Sequence, residues 1–99
     1  MPTPRIEYAE INLATATSQT VTPDQCEFIG VWPSVAMSAH AATITDGAAG
    51  TLLKTVPASS AVTVELSGMG VEVSGALTVV SDALATGKLI VAYRPATKL

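Results

Sequence analysis

The sequence predicts an all-β fold, a small antiparallel β-sandwich or jelly-roll-like barrel with an extended N-terminal arm. Two observations point there. From about Cys26 onward, apolar and polar residues alternate at period two, the spacing that puts successive side chains on opposite faces of a strand. Asp46-Gly47, Ser67-Gly68, Ser74-Gly75 and Thr86-Gly87 then punctuate the chain as turn signals. Strand starts accordingly recur about every 8–12 residues, as in sandwiches and barrels.

Residues 1–25 read as the arm or an edge segment, and residues 26–99 as the sandwich domain. In the arm, Ile6, Tyr8, Ile11, Leu13 and Val21 are the only sizeable apolar anchors among Pro, Thr and Gln. One edge strand at Ile6–Leu13 is expected, with a short helix over Tyr8–Ala16 as the alternative. "CEFIGVW" and "AATITD" follow as short strands rich in β-branched and aromatic residues. "AVTVELSG" alternates Val62, Val64 and Leu66 against Thr63 and Glu65, predicting a half-buried strand. "GVEVSG" repeats the pattern, with Val71 and Val73 inward. "ALTVVS" and "KLIVAYR" are apolar on both faces and predict central or covered strands. Pro33 and Pro57 are expected at strand ends or edges, because proline cannot donate to a ladder. The tail "PATKL" reads as a surface end.

Composition narrows the function classes. Ninety-nine residues fit one domain with a modest core. Charged residues make up 13% of the chain, against about 25% in an ordinary soluble domain. A neutral surface loses little on desolvation and suits burial against partner chains. The net charge of −3, with Arg5, Lys54, Lys88, Arg94 and Lys98 scattered, argues against nucleic acid. No apolar run reaches the ~20 residues of a membrane helix, and "MPTPRIEYAE" has no secretory pattern. Cys26 is the one cysteine, so no intrachain disulfide forms and folding in a reducing cytoplasm is expected.

Candidate chemistry is sparse. Gly47, Gly50 and Lys54 in "TITDGAAGTLLKTVP" suggest a phosphate loop at first sight. That motif needs a hydroxyl residue after the lysine and then a helix, whereas Val56 and Pro57 follow here. A strand-to-strand connection is expected instead, with Gly47 and Gly50 supplying positive φ. His40, with Ser38 and Asp46 nearby, lacks a reason to converge into a catalytic triad. Cys26 is expected as a buried, inert thiol. One Cys and one His leave no structural zinc set. Glu7 and Glu10 flank the arm, and Glu65 and Glu72 fall on the outer sides of their strands. No catalytic, cofactor-binding or metal-binding residues are assigned, and no enzyme is expected. Trp32, Phe28 and Tyr93 are expected as core pieces. Their alternative is a carbohydrate-stacking platform.

Val31 to Pro95 resembles small tailed-bacteriophage virion structural proteins, the head decoration (cement) or fibre-associated β-sandwich proteins. The likeness rests on the strand and Asp-Gly turn at Ile44–Gly47, "GVEVSGALTVV" at Gly70–Val80, and the closing G-x-x-x-V-x-Y-R at Gly87–Arg94. The resemblance implies a non-enzymatic, homo-oligomeric fold, trimeric or arrayed on a capsid, with no cofactor. Its partners would be copies of itself and the major capsid or other virion proteins, without nucleic acid or membrane. It implies virion localisation after assembly in the host cytoplasm. A capsid decoration role is the leading expectation, with Met1–Val21 contributing to attachment or an intersubunit strand. A tail, neck or fibre role is the first alternative, and a carbohydrate-binding β module using Trp32 and Tyr93 the second.

Overall fold

The computed structural model describes residues 5–47 and 50–96. Eight strands form among them: β1 (Glu7–Asn12), β2 (Ser18–Thr22), β3 (Cys26–Val35), β4 (Ala42–Asp46), β5 (Thr51–Val56), β6 (Leu66–Val73), β7 (Leu77–Ser81) and β8 (Lys88–Pro95). They build two four-stranded sheets, sheet A in the order β1-β8-β3-β6 and sheet B in the order β2-β7-β4-β5. Every pairing is antiparallel.

First strand pairs with last, second with seventh, third with sixth, and fourth with fifth. One long hairpin, tipped by the β4–β5 turn, has rolled up so that its strands pass alternately into two sheets. That is a jelly roll, the eight-stranded double-sheet architecture. The strands that read as apolar on both faces, β7 and β8, are interior in their sheets. The register explains the demand: each has a neighbour on both edges and a second sheet behind it.

Between the sheets lie Ile11, Leu13, Phe28, Val31, Ile44, Val56, Val73, Leu77, Val79, Leu89 and Val91, all at 7% exposure or less. Alternation delivers them. Ile11 faces Leu89 in the register, Val31 faces Val91, and Ile44 faces Val79. Burying such a side chain contributes about 1.5–3 kcal/mol each, so this layer holds the fold.

The N-terminal segment enters more deeply than an arm. The edge strand expected at Ile6–Leu13 is present as β1, and no helix covers Tyr8–Ala16. A second strand, β2, then crosses to the edge of sheet B. Ile11 and Leu13 are buried, and the amide of Leu13 donates to the Gly87 carbonyl at 3.0 Å. Removing residues 1–21 would strip an edge strand from sheet A, most of another from sheet B, and two core side chains. The part of the arm expected at residues 1–4 lies outside the described residues.

Two further expectations are corrected. The alternation at 62–65 forms no strand, and β6 begins only at Leu66. The chain must pass there from the edge of sheet B to the edge of sheet A, and a turn in which the Val64 amide donates to the Ala61 carbonyl (3.0 Å) makes the crossing. Val62 is left 53% exposed. Ser67-Gly68 likewise does not end a strand. The register runs from Ser67 opposite Gly30 to Val71 opposite Phe28, so Gly68, Met69 and Gly70 bulge out against the single residue Ile29. Gly68 is required there, because a Cβ would come within 2.5 Å of the Phe28 carbonyl oxygen. Met69 takes φ 57° and stands 85% exposed. Such a bulge blunts an edge strand against unwanted pairing.

Pro57 follows directly on β5. Pro33 lies within β3, but past Val31, where the pairing with β6 stops. Its missing N–H leaves no gap in that ladder.

Candidate functional site

The glycine-rich segment turns the chain, but of its two described glycines only Gly47 takes the positive φ expected of both. β4 and β5 pair as a hairpin, Gly47 sits at φ 86°, and the Gly50 amide donates to the Gly47 carbonyl at 3.1 Å. Lys54 is a half-buried residue of strand β5 beside a bulge. Asp46 has a different task. Its carboxylate accepts from the Gly75 amide at 2.8 Å and from the Ser74 amide and hydroxyl at 3.1 Å each. It thereby ties the tip of β4 to the β6–β7 turn. These bonds, led by Gly75, hold its pKa below the ordinary 3.8.

Ser38, His40 and Asp46 do not assemble into a triad. Ser38 Oγ lies 3.3 Å from His40 Nδ1, but Asp46 is engaged at Ser74 and Gly75. The Ser38 hydroxyl also accepts from the Thr86 amide at 3.0 Å, and the Ser38 carbonyl accepts from Ser59 at 2.7 Å. This cluster pins the β3–β4 loop to the β7–β8 and β5–β6 connections. Cys26 is 4% exposed. Burial, and then the negative charge of Asp46, pushes its thiol up to about 11, away from the thiolate that nucleophilic chemistry needs. Among the described residues, no three His, Cys, Asp or Glu side chains gather where one metal ion could bind.

The aromatic residues part company. Phe28 is completely buried. Tyr93 lies opposite Phe28 and Glu7 on the core side of sheet A, and its hydroxyl donates to Glu7 Oε2 at 3.2 Å. Trp32 lies opposite Ile90, one step out of phase with the inward Val31 and Val91, and so faces outward. Trp32 and Tyr93 therefore stand on opposite faces of sheet A and share no platform. Trp32 also leaves the core, contrary to expectation.

Its partner is Tyr8. Tyr8 on β1 and Trp32 on β3 reach across β8, with ring centroids 6.0 Å apart and planes at 62°. Beneath them Ala92 is 2% exposed although it points outward. No sequence spacing announces this pair; it exists because strand one joins strand eight. Beside Trp32, where β6 begins against β3, lies a groove of about 340 Å³ lined by Ile29, Gly30, Trp32, Glu65, Leu66 and Ser67. Gly30 forms its floor because it projects no side chain.

The rest of that face mixes charged residues with Asn12, Val35 and Ile90. Glu10, Glu27, Glu72, Lys88 and Arg94 occupy outward register positions. Lys88 approaches Glu10 at 3.9 Å, and Arg94 approaches Glu27 at 3.5 Å. The outer face of sheet B differs. Stepping one residue from the buried Ile44, Leu77, Val79 and Val56 gives two outward rows. Thr20, Thr78, Thr45 and Leu52 form one, and Ser18, Val80, Thr43 and Thr55 the other. None of these eight side chains is ionisable. Several bond locally: Thr45 Oγ1 to the Gly47 carbonyl at 2.6 Å, Thr78 Oγ1 to Ala76 at 3.0 Å, and Thr43 Oγ1 to Val80 at 3.3 Å. These three hydroxyls are satisfied within the chain, while Ser18, Thr20 and Thr55 are exposed.

Comparison with protein families, with curated proteins and with solved structures gives no match for this chain.

Proposed function

We propose that this protein is a non-enzymatic structural subunit of a bacteriophage virion, a head decoration protein that stabilises the capsid lattice. The observation that carries the reading is the outer face of sheet B, eight outward positions across four strands without one ionisable group. Charged groups are depleted at the centres of interfaces because drying them is costly. Thr43, Thr45 and Thr78 already satisfy their hydroxyls internally, so covering them forfeits few bonds to water. Leu52, 57% exposed, adds apolar area at one side. Jelly rolls also serve in viral capsid domains, and the sequence resemblance described above leads to the same class.

On this reading, sheet B lies against neighbouring copies or coat subunits, and the charged face of sheet A points to water. Neighbouring coat subunits are cross-linked by apolar and main-chain contacts, without a reaction step, cofactor or metal. The edge of β2 (Ser18–Thr22) contains neither charge nor proline, so its main-chain groups are open to strand addition.

Co-sedimentation with empty phage heads tests this. Wild-type protein is expected to pellet with heads and to raise their thermal tolerance. Thr55→Glu, an exposed charge on sheet B, is expected to weaken binding at least tenfold without changing the fold, while Glu72→Gln on sheet A binds normally. A protein that stays monomeric and sediments apart from heads at high concentration would overturn the proposal.

A further inference from the structure

The groove beside Trp32 belongs to neither the core nor the uncharged face. We infer that it is a receptor for a cationic side chain, an arginine guanidinium or lysine ammonium presented by a partner protein.

Three features select that ligand. The lining holds one indole and one carboxylate, those of Trp32 and Glu65, and no basic side chain. A cation placed over an aromatic face is attracted by the ring quadrupole, most strongly for tryptophan, and Glu65 supplies the opposite charge. Second, the ring is held in place. Tyr8 meets it edge-to-face at 6.0 Å, so Trp32 loses little rotamer freedom when a ligand binds. Third, the two ring planes cross at 62°. They form no continuous flat platform for a row of stacked sugars, whereas a single ring beside a carboxylate suffices for one cation.

The groove has room for one side chain. About 340 Å³ lies near the lower end of the roughly 300–1,000 Å³ typical of small-ligand sites. Gly30 lets the ligand approach the β3 backbone, and its own Cβ would already press on the Leu66 carbonyl oxygen at 3.1 Å. Ser67 Oγ accepts from the Met69 amide at 3.1 Å, a bond that fixes its position on the groove wall. Its remaining lone pair can take an N–H from the ligand. The groove and the sheet B face lie on opposite sides of the sandwich, so one subunit can engage a neighbour by both.

The source of the cation, a neighbouring subunit, rests on the assembly reading; the groove's chemistry does not. The test therefore uses small probes on the full chain. N-acetyl-arginine amide is titrated while the backbone amides of Gly30 and Ser67 and the Trp32 indole N–H are followed by NMR. The isosteric but neutral N-acetyl-citrulline amide and methyl glucoside serve as the other arms. The expected result is saturable, millimolar binding of the arginine probe alone, weakened about threefold to fivefold by Glu65→Gln and by added salt. Trp32→Phe, which keeps a ring, weakens it less than Trp32→Ala. Equal shifts with citrulline or the glucoside would overturn the inference, as would silence with all three. A groove that fails here leaves head binding untouched, and a groove that binds arginine survives a failed head assay.

Discussion

The two outer faces of this sandwich are built on the same scaffold, four antiparallel strands each, yet they carry opposite chemistry. On sheet A, Glu10 stands by Lys88 and Glu27 by Arg94, with Tyr8 and Trp32 crossed above Ala92. On sheet B the equivalent outward rows hold Thr, Ser, Val and Leu, with no charge. The apolar core between the sheets demands neither pattern, although Thr45 and Thr78 on the sheet B face are themselves enclosed. The difference concerns water. Paired charges on sheet A keep hydration at little cost, whereas on sheet B Thr43, Thr45 and Thr78 already bond within the chain and have little hydration to lose. A composition with few charges has thus been sorted between the two faces, and the proposed assembly role rests on that sorting.

The largest effect is expected where sheet B is most enclosed. Thr78 is 2% exposed although it points away from the core. Thr78→Asp would place a charge among Thr20, Thr45 and Val80 with no basic side chain in the two rows, and should lower unfolding stability by about 3 kcal/mol or more. Glu72→Gln, its counterpart on sheet A, should change stability by less than about 0.5 kcal/mol. Urea denaturation of the two variants reads both. If they cost the same, the two faces are not energetically distinct.

The fold was legible wherever one strand's own pattern decided it. β3 and β4 follow from runs rich in β-branched and aromatic residues, β7 and β8 from runs apolar on both faces, and the Gly-containing turns at Asp46, Ser74 and Thr86 separate them. Positions decided by partner strands were hidden. Val62–Glu65 has a strand's alternation but serves as the crossover, since β5 and β6 belong to different sheets. Ser67-Gly68 looks like a turn but is a bulge, because Ile29 on β3 sets the register. The candidate site was less legible still. Trp32 meets Tyr8 only because β1 pairs with β8, and no spacing within either segment carries that information. The uncharged rows of sheet B could be sensed in composition but not located, since their members come from four separate stretches.

An intermediate effect is expected at the aromatic pair on sheet A. A double-mutant cycle of Tyr8→Ala and Trp32→Ala should return a coupling energy of about 1 kcal/mol, the usual worth of an edge-to-face pair beyond its buried area. A coupling near zero would mean that the rings do not hold each other, and the fixed indole on which the cation receptor depends would be lost.

Asp46 offers a pH test at the open end of the roll. Its folded pKa is depressed, so it contributes stability that is fully present above the ordinary 3.8 and lost as pH falls through the lower folded value. Below 3.8 the unfolded chain binds the proton first, and the wild-type stability curve must slope down. Asp46→Asn should flatten that limb and, at neutral pH, loosen the β6–β7 turn, seen as faster hydrogen exchange at the Ser74 and Gly75 amides. Cys26 shapes the alkaline side. Its folded pKa is raised from 9.0 to about 11, so stability is retained below 9.0 and declines between those values as the unfolded thiol ionises. Cys26→Ala should remove this decline while opening a small cavity.

The smallest effect belongs to the ion pairs on sheet A. Lys88 and Glu10 are 3.9 Å apart with side chains 42% and 51% exposed, and Ser34 Oγ donates to the same carboxylate at 3.0 Å. Exposed pairs of this kind couple by only about 0.2–1 kcal/mol and are screened by salt. A Lys88→Met, Glu10→Gln cycle should fall at the low end of that range, because Glu10 keeps Ser34 when Lys88 is removed, and should vanish in about 1 M salt, where the Debye length is about 3 Å. A coupling that exceeds 1 kcal/mol and resists salt would mean that this side of the molecule is drier than its charges imply, and the contrast between the two faces would have to be drawn elsewhere.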